Sequence, residues 1–148
     1  FERVVATLAT MRIEQRDVSV PFDAASFDVG TIDADRASIS ASLFADVDAL
    51  VLPTLTTAAP TVDEARARGD LAVAPDNTFF CNYFGLPATT VPAGFDANGV
   101  PLGVQMVGPR GADDRVLGLA RAYQRASGWR YAPPAGVVAS QSRPARSQ

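Results

Sequence analysis

Residues 82–108 read NYFGLPATTVPAGFDANGVPLGVQMVG, and their punctuation decides the fold. Gly85 and Pro87 close whatever helix precedes them, because glycine accepts the left-handed cap and proline cannot continue the helix. Residues 88–94 then read as a strand, with Pro92 marking a bulge or an edge. Asp96-Ala97-Asn98-Gly99 is a turn, since Asn and Gly tolerate positive φ. Leu102 to Val107 is apolar except for Gln105 and reads as an interior strand.

Upstream, residues 76–84 read as a short helix with Asp76 as its cap. Phe79, Phe80, Cys81, Tyr83 and Phe84 make it apolar on nearly every side, so the helix is expected to be buried, Asn82 with it. Ala49-Leu50-Val51-Leu52 ends at Pro53, the pattern of a central strand covered on both faces. Residues 54–75 form a long loop with a short helix at 62–68, and long loops often belong to binding sites. Asp113 and Asp114 cap a helix with Val116, Leu119, Ala120 and Tyr123 on one face and Gly128 past its end. Two further helices are expected at 1–15 and 35–46, the second capped by Asp35 with Ile39, Leu43, Ala45 and Val47 inward. The reading gives one domain portion over residues 1–134 and a disordered tail over 135–148, where Ala, Ser, Gln, Arg and Pro offer little to pack.

Composition narrows the chemistry. The chain has 148 residues, 47% hydrophobic and 20% charged, ordinary for a globular protein. Net charge is -3, against nucleic acid as partner. No apolar run is long enough to span a bilayer. All 13 basic residues are arginine; there is no histidine and no lysine, hence no common general base, metal ligand or Schiff-base amine. Cys81 is the only cysteine, which fits a reducing, cytoplasmic setting and a buried, inert thiol. The glycines form no nucleotide motif, and no metal or cofactor is expected. The chain does not open with methionine, which points to a piece of something longer.

Five blocks in order carry a resemblance. They are Asp48–Thr54; Asn82–Ala88; Val91–Phe95; Gly99–Gly108; and Asp113–Leu117 with Leu119-Ala120. Together they resemble the C-terminal region of amidase-signature enzymes over residues 37–131. The resemblance implies an α/β fold, α/β/α with a mixed central sheet, to which this chain supplies three strands. It also implies an amide hydrolase acting on carbon–nitrogen bonds of a small-molecule amide through a Ser-Ser-Lys mechanism. Those catalytic residues are absent here, so the partner would be the N-terminal catalytic part of the same polypeptide. In the family, the segment matching Thr78–Asn82 lines the acyl side of the pocket. Thr78, Phe79 and Cys81 are therefore the wall candidates. Thr54 joins them because ligands gather beyond the carboxyl ends of strands. Asn82 and Gln105 are expected to be buried polar ties.

Two alternatives stand beside this reading. One is a glutamine-using amidotransferase subunit, in which an Asp commonly sits seven residues before the equivalent of Asn82; here that place holds Pro75, with Asp76 next to it. The other is a catalytically inactive binding or scaffold protein, disfavoured because half a sheet exposes an apolar face. Residues 1–148 expressed alone are expected to be poorly soluble and to show no turnover above background with a panel of simple amides; activity that survives repurification would contradict this.

Overall fold

A computed structural model describes residues 1–20, 28–69 and 72–130. The elements run α1 (Glu2–Thr10), α2 (Ile32–Leu43), β1 (Leu50–Pro53), α3 (Val62–Arg68), α4 (Asp76–Phe84), β2 (Ala88–Phe95), β3 (Pro101–Val107) and α5 (Asp113–Ser127). The three strands form one antiparallel sheet in the order β1-β3-β2. Helices lie on both faces, which gives the α/β class expected from the sequence.

Alternation along β3 creates the two cores. Val104 and Met106 face one way, joining Val4 and Leu8 of α1, Val91 of β2, and Val116, Ala120 and Tyr123 of α5. Val107 faces the other way, with Ile39 and Leu43 of α2, Leu50, and Phe80, Cys81, Tyr83 and Phe84 of α4. Val104, Met106 and Val107 are fully enclosed. Each such side chain contributes about 1.5–3 kcal/mol of apolar burial, so β3 anchors the fold.

The turn joining β2 to β3 forms as its residues demand. Asp96 Oδ1 accepts from the backbone N–H of Asn98 and of Val100, each at 2.8 Å, and Gly99 takes φ 80°. The register shifts between Pro92 and Gly94, so the bulge lies where Pro92 indicated. Gly85 caps α4 in the left-handed conformation. α3 carries a capping box between Thr61 and Glu64.

Other expectations are corrected. α1 stops at Thr10 rather than running to 15, and Arg12 beyond it takes φ 58°, which no helix continues. α2 starts at Ile32, so Asp35 is not its cap, and Ala45 and Val47 lie past its end. Asp35 instead accepts from Thr31 Oγ1 at 2.8 Å and from the Tyr83 hydroxyl at 2.5 Å. The Tyr83 bond first, then that of Thr31, holds the Asp35 carboxyl below its ordinary range. Asp76, Asp113 and Asp114 are not caps either: Pro75 and Ala112 occupy those places, with no side-chain capping bond. Their charges sit in the first helical turn, where the dipole favours them.

The largest correction concerns β1. Among the described residues it is an edge strand, not a central one: Leu50 is buried, Val51 and Leu52 half-buried and Pro53 exposed. The tail expected at 135–148 and the end of the 1–134 portion lie outside the described residues. Hydrogen exchange is expected to find the amides of Val104, Gln105, Met106 and Val107 among the slowest in the protein; fast exchange there would contradict the central place of β3.

Candidate functional site: the carboxyl end of β1 and the start of α4

β1 ends where Pro53 removes a donor, yet the ladder continues one step, since Thr54 N–H donates to Gly103 O at 3.1 Å. Thr54 Oγ1 then reaches across β3 to donate to Thr90 Oγ1 of β2 at 3.3 Å. The two threonines meet over Gly103, and only glycine permits this. A Cβ there would stand 2.8 Å from Thr54 Oγ1 and 2.9 Å from Thr90 Cγ2.

α4 is fastened to the same place by two amides. Asn77 Nδ2 donates to Pro53 O at 2.7 Å, and Gln105 Nε2 donates to Asn77 O at 2.6 Å. Gln105 is 4% exposed, and its Nε2 also lies 3.6 Å from Cys81 Sγ. The expected role of Gln105 as a buried tie thus has a geometry: strand β3 holds the first turn of α4, and that turn holds the end of β1. Asn82 behaves otherwise. It is exposed on α4, and its backbone carbonyl accepts from Arg36 Nη2 at 3.3 Å while Arg36 Nε donates to Tyr83 O at 2.7 Å. α4 buries Phe80, Cys81, Tyr83 and Phe84; Asn82 falls on its remaining side.

Thr78, Phe79 and Cys81 follow on the same helix. Thr78 and Phe79 are half-buried, and Thr78 Oγ1 donates back to Pro75 O at 3.1 Å. Phe79 packs against the core beneath α4. Cys81 turns inward, and burial pushes its thiol up to about 11. The sequence itself offers no histidine or lysine to pair with it. Thr54, Cys81 and Gln105 therefore converge on one face of the sheet, with Thr78 one turn from Cys81. Gly103, from the Gly99–Gly108 block, also belongs to this constellation, as do Asn77 and Thr90, which no motif in the sequence singles out. Alternation places Thr90 on the face of Gln105, its register partner; that signal becomes readable in the strand pattern once the register is known.

A hollow of about 650 Å³ lies elsewhere, along the free edge of β1, lined among others by Val5, Leu8, Ile13, Val47, Leu50 and Val51. It includes none of Thr54, Thr78, Phe79 or Cys81. Among the described residues, no cluster of three metal-ligating side chains occurs, and no helix is long and apolar enough to cross a membrane.

The chain has counterparts among known proteins. The family model described as Amidase matches residues 32–117. This chain is 39% identical over 88 residues to a glutamyl-tRNA(Gln) amidotransferase subunit of Neisseria meningitidis serogroup C (strain 053442), covering 60% of this chain and 18% of that protein. Among solved structures it is similar to 6-aminohexanoate cyclic dimer hydrolase, with TM-score 0.59 and 28% identity over 68% of this chain and 24% of that one. It is also similar to allophanate hydrolase of Kluyveromyces lactis, with TM-score 0.54 and 29% identity over 72% of this chain and 18% of that one. The chain belongs to the amidase family. It spans about a fifth of the length of the curated relatives it matches.

Thiol chemistry checks the site. Cys81 is expected to resist thiol-specific reagents at neutral pH in the folded protein and to react once the protein is denatured. Rapid labelling of the native thiol would place it in an open, activating environment instead.

Proposed function

We propose that this chain forms part of an amide hydrolase, completing its sheet and supplying one wall of the acyl pocket. The observation that carries the reading is the fastening of α4 by Asn77 and Gln105 to the carboxyl end of β1. That fixes the directions of Thr78, Phe79 and Cys81 beside Thr54, where an acyl group can be gripped, while the same constellation lacks any paired nucleophile and base. A hydroxyl nucleophile needs a base and an oxyanion site arranged around it. In this reading a Ser-Ser-Lys set from the remainder of the polypeptide cleaves the carbon–nitrogen bond of a small-molecule amide, and this chain determines which acyl group is held. No cofactor enters the chemistry, and the free thiol suits the cytoplasm.

The second reading, a subunit that draws ammonia from glutamine, is favoured by the identity to amidotransferase subunits. Against it, Pro75 occupies the position where the resemblance expects an Asp. A glutaminase assay separates the two: release of ammonia from glutamine at rates matching those on simple amides supports the amidotransferase.

The wall itself is tested by substitution in the assembled enzyme. Cys81→Ala and Phe79→Ala are expected to stay active and to change the relative kcat/KM for short and long acyl amides, by about 1–3 kcal/mol per site. An unchanged acyl preference in both variants would put the wall elsewhere. Complete loss of activity in a folded Cys81→Ala protein would give the thiol a chemical role.

A further inference from the structure

α4 is held at both ends, by different partners. At its start the tie runs through Asn77 to Gln105 and Pro53. At its end the partner is α2. Arg36 Nε donates to Tyr83 O at 2.7 Å, and Arg36 Nη2 donates to Asn82 O at 3.3 Å. Both carbonyls belong to the last turn, where a helix runs out of its own donors. The residue four beyond Tyr83 is Pro87, which has no N–H to give, so Arg36 supplies a donor that the chain itself cannot.

The Tyr83 side chain doubles this tie. Its hydroxyl donates to Asp35 Oδ2 at 2.5 Å and accepts the backbone N–H of Asp28 at 3.2 Å. The directions are fixed by the groups: a guanidinium only donates, and a carbonyl or an ionised carboxylate only accepts. Asp35 and Arg36 are consecutive, so one turn of α2 grips Tyr83 by its hydroxyl and by its carbonyl. A second guanidinium stands at the same end of α4. A Cβ on Gly85 would lie 3.6 Å from Arg36 Nε and 3.9 Å from Arg110 Nε. Cations there suit the negative end of the helix dipole.

Thr78, Phe79 and Cys81 lie between the two ties. Ile39 and Leu43 of α2 share a core with Phe80 and Phe84, but apolar packing of this kind has no direction. With the Asn77 tie alone, a tilt of about 10° carries Cys81, about 6 Å along the axis, by about 1 Å. A misplacement of about 1 Å suffices to alter turnover. We propose that Arg36 and Asp35 of α2 are positioning residues for the acyl wall, acting through Tyr83 to fix the far end of α4. This rests on the amide-hydrolase reading above and deepens it: acyl selectivity is set partly from α2, by residues that do not touch the acyl group.

The test uses the assembled enzyme with short and long acyl amides. Tyr83→Phe keeps the ring and removes only the hydroxyl. Arg36→Met keeps an unbranched stem and removes the donors. Each variant is expected to change the ratio of kcat/KM for the two amides about tenfold, the lower end of what contacts in a pocket command. That ratio does not depend on how much of the enzyme is folded. A residue that only stabilises the protein would lower the melting temperature and leave the ratio alone. Phe79→Ala, measured in parallel, separates the two ways of failing. A ratio that Phe79→Ala alters while Tyr83→Phe and Arg36→Met both leave it unchanged overturns the positioning role and keeps the wall. A ratio unchanged in all three overturns the wall and this inference with it.

Discussion

The carboxamide of Gln105 is the constraint on which the rest of the arrangement depends. A polar side chain buried to this degree between a sheet and a helix must find partners, or it costs about 1–3 kcal/mol. Gln105 finds the backbone of Asn77, and the side chain of Asn77 in turn finds Pro53. Two hydrogen bonds therefore link the central strand, the first turn of α4 and the last residue of β1. Apolar packing of Phe80, Phe84 and Val107 holds α4 on the sheet, but such packing is non-directional. The amide chain sets how α4 is placed along it, and so where Thr78 and Cys81 stand.

Much of this was legible in the residues because the punctuation is local. Gly85, Pro87, Pro92 and Asp96 each solve a backbone problem within a few residues, and the structure uses them as their chemistry suggests. β3 was legible too, since an apolar run with one polar residue has few places to go. What failed were inferences about partners. Asp35 looked like a cap and became a ligand of Tyr83, 48 residues away. Asn82 was expected inside a wholly buried helix, but a helix of nine residues still has an outer side, and Asn82 is on it. β1 has the composition of a covered strand, while Asn77 and the missing N–H of Pro53 limit its free edge to a short stretch. Periodicity states which face is apolar; it does not state what covers that face.

The candidate site divides in the same way. Thr54, Gly103 and Gln105 were reachable from the motif blocks and Cys81 from the segment matching Thr78–Asn82, whereas Thr90 acquires meaning only through the register that sets it opposite Gln105. Membership in the amidase family accounts for the order of the blocks, and the similar structures account for the fold; neither carries the chemistry into this chain. The sequence holds no histidine and no lysine, and burial raises the pKa of its only thiol to about 11. The similarity to both hydrolases and amidotransferase subunits fits a scaffold in which function resides in the site rather than the fold.

The account turns on α4 being the acyl wall. Its most direct test is a crystal structure of the assembled enzyme trapped with a serine-directed inhibitor that carries a medium-length acyl chain. The account predicts the chain in van der Waals contact with Thr78, Phe79 and Cys81, with the Gln105–Asn77–Pro53 bonds intact beneath it. An acyl chain that runs away from α4, or that enters the hollow along the free edge of β1, would contradict it.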